Sequence, residues 1–321
     1  MLSAALALVG AIIYGAADFL GGLAAKRVRS IVVTAVAAAS GFVLLLLALP
    51  LVGGTWAPID VAWGALAGAF GVVAIALLYA CLAIGPMSIL SPLTAVVSAI
   101  APMLWGLLVN GETLSPIGYI GLAVALIAVV LVGFIPGEKV LRPHPRGLLM
   151  AVGAGLAIGA FLIVIDQTSP ESGLVPLVMT RVTNMAITVA IIGLLVLRAL
   201  RRGRRAASVL DVAGFAIGAT PSGHADLEHA RVGGSDEHSE SGSRRRAWWL
   251  AIACGVLDAA ANALMLLALR IGDLSIVSAL TALYPAGTIL LAAIVLRERV
   301  APVQWTGLAL ALVAGGMLAL A

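Results

Sequence analysis

Residues 85–98 read GPMSILSPLTAVVS and residues 272–285 read GDLSIVSALTALYP; aligned without a gap, they agree at seven of fourteen positions: Gly, Ser, Ile, Ser, Leu, Thr and Ala. Farther along, ETLSPIGYIGL (112–122) matches ERVAPVQWTGL (298–308) at Glu, Pro, Gly and Leu after a one-residue slip. The repeat therefore covers an apolar segment and the segment that follows it, once in each half of the chain.

Composition identifies the solvent around these segments. Hydrophobic residues make up 62% of the chain and charged residues 11%, with a mean hydropathy of +1.14, whereas soluble domains carry about 25% charged residues. The chain is an integral membrane protein. A bilayer needs about 20 apolar residues per crossing helix, and that window predicts ten spans, at 3–24, 31–52, 61–83, 86–109, 115–135, 147–166, 173–197, 247–269, 274–296 and 303–321. The alternating pattern of a membrane barrel is absent, so the spans are helices. Span 4 pairs with span 9 and span 5 with span 10, which gives five crossings per half. Five is odd, so the second half enters the membrane from the opposite side. The expected fold is all-α and integral to the membrane: ten transmembrane helices in two inverted five-helix repeats, 1–135 and 147–321, with a connection at 136–146. Inverted repeats allow a transporter to exchange its two faces around a site near the midplane.

Other features bound this reading. The first span is not expected to be a cleaved leader, since no basic residue precedes it and YGAADFLGG puts Asp18 inside the run. The only long polar stretch, 198–246, opens RALRRGRR and closes RRRAWW around a Ser, Gly, His and acid-rich centre. It lacks periodicity and is predicted to be disordered. Its histidines, His224, His229 and His238, have no metal-ligand spacing and no cysteine companions, so no metal site is expected. Cys81 and Cys254 both fall in apolar runs and read as packing residues. The net charge of +4 comes from arginines gathered in connections, a topology signal and not a nucleic-acid surface.

The YGAADFLGGLAAKR opening, the ETLSPIGYIG and LRERVAPVQWTGLALAL junctions and the LLALRIGDLSIVSALTALYPAGTILLA stretch resemble the EamA family of the drug/metabolite transporter superfamily. The resemblance covers nearly the whole chain except 198–246. It implies ten helices in two inverted halves, a central cavity, and secondary transport or export of small metabolites.

Helical spacing then places the polar residues. Asp258 and Asn262 are i, i+4 and share a face of span 8, as Tyr14 and Asp18 share one of span 1. Arg181, Asn184 and Thr188 form one stripe in span 7. Ser91, Thr94 and Ser98 in span 4 match Ser278, Thr281 and Pro285 in span 9, as expected if equivalent faces line one pathway. The expected substrate and proton site is Asp258, Asn262, Arg181, Asn184, Tyr284 and Thr281 from the second half, with Tyr14, Asp18, Thr94 and Ser98 opposite. A charge at the centre of a membrane helix costs about 2.5–3.5 kcal/mol on insertion scales, and Arg181 is the only basic residue deep within a span, so Asp258 is expected to face it. A buried ion pair that only orients helices is the competing reading for these two. Asp18 lies about two turns from Lys26, so its spacing fits a cavity position and a pairing near the surface equally. Gly64/Gly68 and Gly155/Gly159 read as close-packing pairs. DQTSPESG (166–173), with Asp166, Gln167 and Glu171, reads as an exposed loop, and Arg270 and Asp273 likewise end span 8.

An enzyme is not expected: all four histidines lie in connections, and no nucleophile elbow, zinc-protease or phosphate-loop motif is present. No cofactor is expected either. The expected activity is secondary transport of an amino-acid-like or amphiphilic metabolite across the cytoplasmic membrane by alternating access, as proton-coupled export, with the lipid bilayer as surroundings and a monomer sufficient; a receptor or scaffold acting through 198–246 is the alternative. Connections after spans 1, 5, 7 and 9 hold all but one of the connecting basic residues; without the insertion the count is still eight against the single Arg270. The positive-inside rule makes these connections cytoplasmic and both termini external. The usual orientation in the EamA family has both termini inside, and the expectation here follows the charge count. A cysteine introduced at Gly233 should resist an impermeant thiol reagent added to intact cells; labelling from outside would reverse the orientation.

Overall fold

The computed structural model of the chain describes residues 1–25, 28, 30–84, 87–133, 145–201, 240–295 and 301–321. The first half supplies α1 (Leu2–Ala25), α2 (Ser30–Val52), α3 (Pro58–Ile84), α4 (Met87–Leu108) and α5 (Pro116–Gly133). The second supplies α6 (Pro145–Asp166), α7 (Val175–Arg201), α8 (Glu240–Ile271), α9 (Leu274–Thr281), α10 (Tyr284–Val295) and α11 (Pro302–Ala319). Among the described residues there is no strand. Among the described residues, nine segments are long and apolar enough to cross a bilayer, α9 and α10 counting as one, and α4 adds the shorter apolar stretch Leu93–Leu108. Proline opens α3, α5, α6 and α11, at the one helical position where its missing N–H and fixed φ cost nothing.

Three expectations change. Span 9 is two helices. Pro285 has no N–H to give the Thr281 carbonyl, and the chain instead turns through Leu283 N to Leu280 O (3.1 Å) and Ala286 N to Leu283 O (2.9 Å). Ser98 occupies the matching position of α4, keeps its N–H, and α4 runs on unbroken. The ends of the polar insertion are helical: 198–201 complete α7 and 240–246 begin α8. Its remainder, 202–239, with the three histidines, lies outside the described residues, as do Lys26 and 136–144. Finally, the segment after α6 is not simply an exposed loop, because Thr168 and Ser172 within it are buried.

The packing plan carries the inverted repeat. α1 packs on α8 as α6 packs on α3; α2 packs on α8 as α7 packs on α3; α4 packs on α6 as α9 and α10 pack on α1. The contacts of α5 with α11, α2 with α7 and α4 with α9 are their own counterparts. Exchanging the halves therefore preserves these contacts, and the extensive contacts run between halves, so neither half is a separate body.

Lipid supplies no hydrophobic force between helices, and small residues let backbones approach instead. At Gly64 and Gly68, an added Cβ would overlap the α7 backbone at Pro176 and Thr180. Thr180 Oγ1 donates to Gly64 O at 3.0 Å across the same contact. Gly155 and Gly159 meet α4 at Val97 and Ala101 in the same way. Gly64→Leu should destabilise the α3–α7 contact by about 1–3 kcal/mol, read as a lower Tm in detergent. Gly193→Leu, where nothing stands within 4 Å, should leave the Tm unchanged or raised.

Candidate functional site

The crossing helices enclose a cavity with about 760 Å³ of empty space, its open mouth included. Its polar wall is Tyr14 from α1, Ser98 from α4, Thr180, Arg181 and Asn184 from α7, Asp258 and Asn262 from α8, and Ser278, Thr281 and Tyr284 from α9 and α10. Gly71, Ala74, Ile158, Phe161 and Leu162 supply apolar surface from α3 and α6. Eight of the ten residues expected from the sequence thus share one cavity.

The two others do not line it. Thr94 Oγ1 donates to Leu90 O (3.0 Å) and to Ala151 O (3.1 Å), and so fastens α4 to α6. Asp18 is buried one turn beyond Tyr14, outside the cavity wall. Ser98 lines the cavity, but its hydroxyl donates to Ala95 O at 2.8 Å. Tyr14 Oη meets Met265 Sδ at 3.8 Å; Met265 and Phe161 are wall residues that no polar stripe announces.

At the centre, Arg181 Nη2 donates to Asp258 Oδ2. Arg181 is 8% exposed and Asp258 2%, so each charge is neutralised by the other and not by solvent. Asn262 Nδ2 donates to Asp258 O at 2.8 Å and lies 3.4 Å from Oδ2, which fixes the carboxylate one helical turn before it. Oδ2 is thus occupied twice, whereas Asp258 Oδ1, Asn184 Oδ1 and Thr281 Oγ1 are buried with no hydrogen-bond partner. Buried polar atoms without partners are uncommon, and three on one wall form a ready set of acceptors for a ligand with hydrogen-bond donors. The arrangement can bind and orient a ligand.

A second set of polar contacts lies at the bundle face that carries both termini. Asp60, buried at the start of α3, accepts from Ser169 N (2.8 Å) and Ser169 Oγ (2.6 Å). Arg270 donates to Thr168 O, to Thr168 Oγ1 (2.7 Å) and to Ser172 Oγ (3.3 Å). Glu112, in the α4–α5 connection, accepts from Leu274 N (2.8 Å) and Ser275 N (3.0 Å) at the start of α9. Partial burial, with Glu112 nearby, raises the Asp273 carboxyl from its ordinary 3.8. Expected only as loop ends, Asp166 and Arg270 are knitted into this face: Asn110 Nδ2 donates to Asp166 Oδ2 at 3.3 Å.

Removing one member of a buried pair strands the other charge, at a cost of about 3–5 kcal/mol, whereas replacing both by apolar residues is often neutral. Arg181→Met and Asp258→Leu should each lower stability by that order in detergent denaturation, and the double variant should recover most of it. Equal losses in single and double variants would show that the charges are not balanced against each other.

The EamA-like transporter family matches at residues 1–134 and 235–320, that is, α1–α5 and the part of the second half from α8 onward. A solved structure described as "Crystal structure of protein" is similar over 99% of this chain and 96% of its own, with a TM-score of 0.67 and 16% identity; at that identity the likeness shows the fold alone. No curated protein matches the sequence. With nine long apolar helices and a shorter one, an inverted packing plan and the family match in both halves, the chain belongs to the EamA-like transporter family and is a membrane transporter of the drug/metabolite type.

Proposed function

We propose that the protein is a secondary transporter that moves a small amino-acid-like or amphiphilic metabolite across the cytoplasmic membrane by alternating access, exporting it in exchange for protons. One observation carries this reading: a cavity between inverted halves holds an ion pair whose carboxylate retains one unpartnered oxygen, beside the unpartnered acceptors of Asn184 and Thr281. A substrate ammonium suits those acceptors, and the apolar wall at Ile158, Phe161 and Leu162 suits a modest side chain. The Arg181 guanidinium is the cationic group available to a substrate carboxylate.

Coupling follows from the same pair. The charge on Asp258 is supported while Arg181 is close. If the change of face parts α7 from α8, a lone carboxylate in a low-dielectric cavity neutralises itself by taking a proton. A ligand biases a two-state equilibrium only through different affinities for the two states, and the proton supplies that difference. Asp258 is the leading proton site, and Asp18, one turn beyond the cavity, the second. The protein performs no chemical conversion in this scheme, and a monomer contains the whole site.

The test is a screen of amino acids and related amines by counterflow in liposomes containing the purified protein. Once a substrate is found, Asp258→Asn should abolish transport driven by a pH gradient while permitting substrate exchange, which moves no net proton. Full pH-driven transport by that variant would make Asp258 a structural residue and overturn the coupling scheme.

A further inference from the structure

Glu112 belongs to the first half, yet both of its carboxylate oxygens are engaged by the second. Oε1 accepts from Leu274 N and Oε2 from Ser275 N, the first free amides of α9, where the helix dipole favours a negative charge. α9 is the half-helix that brings Ser278 and Thr281 to the cavity wall. The loop is shaped for this contact: Glu112 N donates back to Gly106 O at 3.0 Å, and a Cβ on Gly106 would overlap the Glu112 carboxylate itself. Around this junction, Asn110 ties the same loop to Asp166 at the end of α6, and Arg270 ties the end of α8 to Thr168 and Ser172. The connections that follow α4, α6 and α8 are therefore joined to one another or to α9 on a single face.

We infer that Glu112 is a positioning residue of the transport cycle: by holding the start of α9 against the α4–α5 connection it latches shut the bundle face that carries both termini, and its release from Leu274 and Ser275 is the step that opens the cavity to that face. The assignment rests on the transport reading above and adds to it the residue that closes one side. A break in the helix at 282–283 lets α9 move without dragging α10, which stays packed on α1 through Thr288 Oγ1 to Gly15 O at 3.1 Å.

The experiment uses full-length protein with Cys81→Ala and Cys254→Ala and a single reporter, Ala74→Cys, on the apolar wall of the cavity. An impermeant maleimide is added to right-side-out or inside-out membrane vesicles, and Trp56→Cys, exposed in the α2–α3 connection, identifies the terminal face. The parent should label slowly through that face. Glu112→Ala should label at least about tenfold faster, as expected for loss of two charge-assisted hydrogen bonds. Gly106→Ala, which displaces the carboxylate without removing it, should do the same, and Glu112→Gln, which keeps one acceptor oxygen, should fall between. Ala128→Cys, in the core of α5, must stay unlabelled in each variant, which separates opening from unfolding. If Glu112→Ala and Gly106→Ala both label within twofold of a one-sided parent, the latch is overturned and the transport reading stands. A parent that labels equally fast through both faces overturns alternating access, and the latch with it.

Discussion

An arginine and an aspartate placed in hydrocarbon must find each other, and that requirement organises the middle of this bundle. α7 packs most on α3 and α8 most on α1, and α2 lies against both, so the helices that carry Arg181 and Asp258 do not rest mainly on each other. The ion pair is what joins their cavity faces. Paired, the charges avoid most of the several kcal/mol that each would cost alone; parted, at least one must be rehydrated, protonated or offered to a ligand. The same contact thus holds α7 to α8 across the cavity.

The packing plan is symmetric and the chemistry is not. Exchange of halves preserves the helix contacts, yet the buried ion pair belongs wholly to the second half, and the first half gives the cavity Tyr14 and Ser98 among its polar residues. The break at 282–283 shows the same divergence at one atom: Pro285 lacks the amide hydrogen that Ser98 retains at the matching place. Backbone packing is shared by both repeats, while the buried charge pair lies in one. Discontinuous helices at a site expose backbone groups that an intact helix would satisfy internally, and the second half holds that feature along with the charges.

Much of this was legible in the sequence, because apolar length and helical spacing are local properties. The repeat at 85–98 and 272–285, the odd number of crossings per half and the i, i+4 relation of Asp258 and Asn262 need no tertiary information. Thr94 shows where spacing fails: it lies in register with Ser98 and yet bonds to Ala151 on a neighbouring helix, since a hydroxyl in lipid takes whichever carbonyl is nearest. Asp60, Glu112 and Arg270 were illegible for a different reason. A charged residue at a helix end reads as solvated, and only the meeting of three connections on one face turns it into a buried or half-buried contact. The insertion's helical ends were missed because arginine and serine lower hydropathy without preventing a helix from continuing past the bilayer.

The terminal-face contacts also constrain the energetics of a cycle. Hydrogen bonds to charged groups contribute about 1.5–3 kcal/mol each, and this face holds such bonds at Asp60, Glu112 and Arg270. Left unopposed, they would bias the protein toward one state by more than a substrate's differential affinity of a few kcal/mol could reverse. The cycle proposed above therefore requires closure of the second face to recover a comparable free energy, so that the two states differ by little. In the cycle proposed above, the inverted repeat supplies the means, because the main packing contacts of α1 and α2 on α8 and of α4 on α6 have counterparts in those of α6 and α7 on α3 and of α9 and α10 on α1.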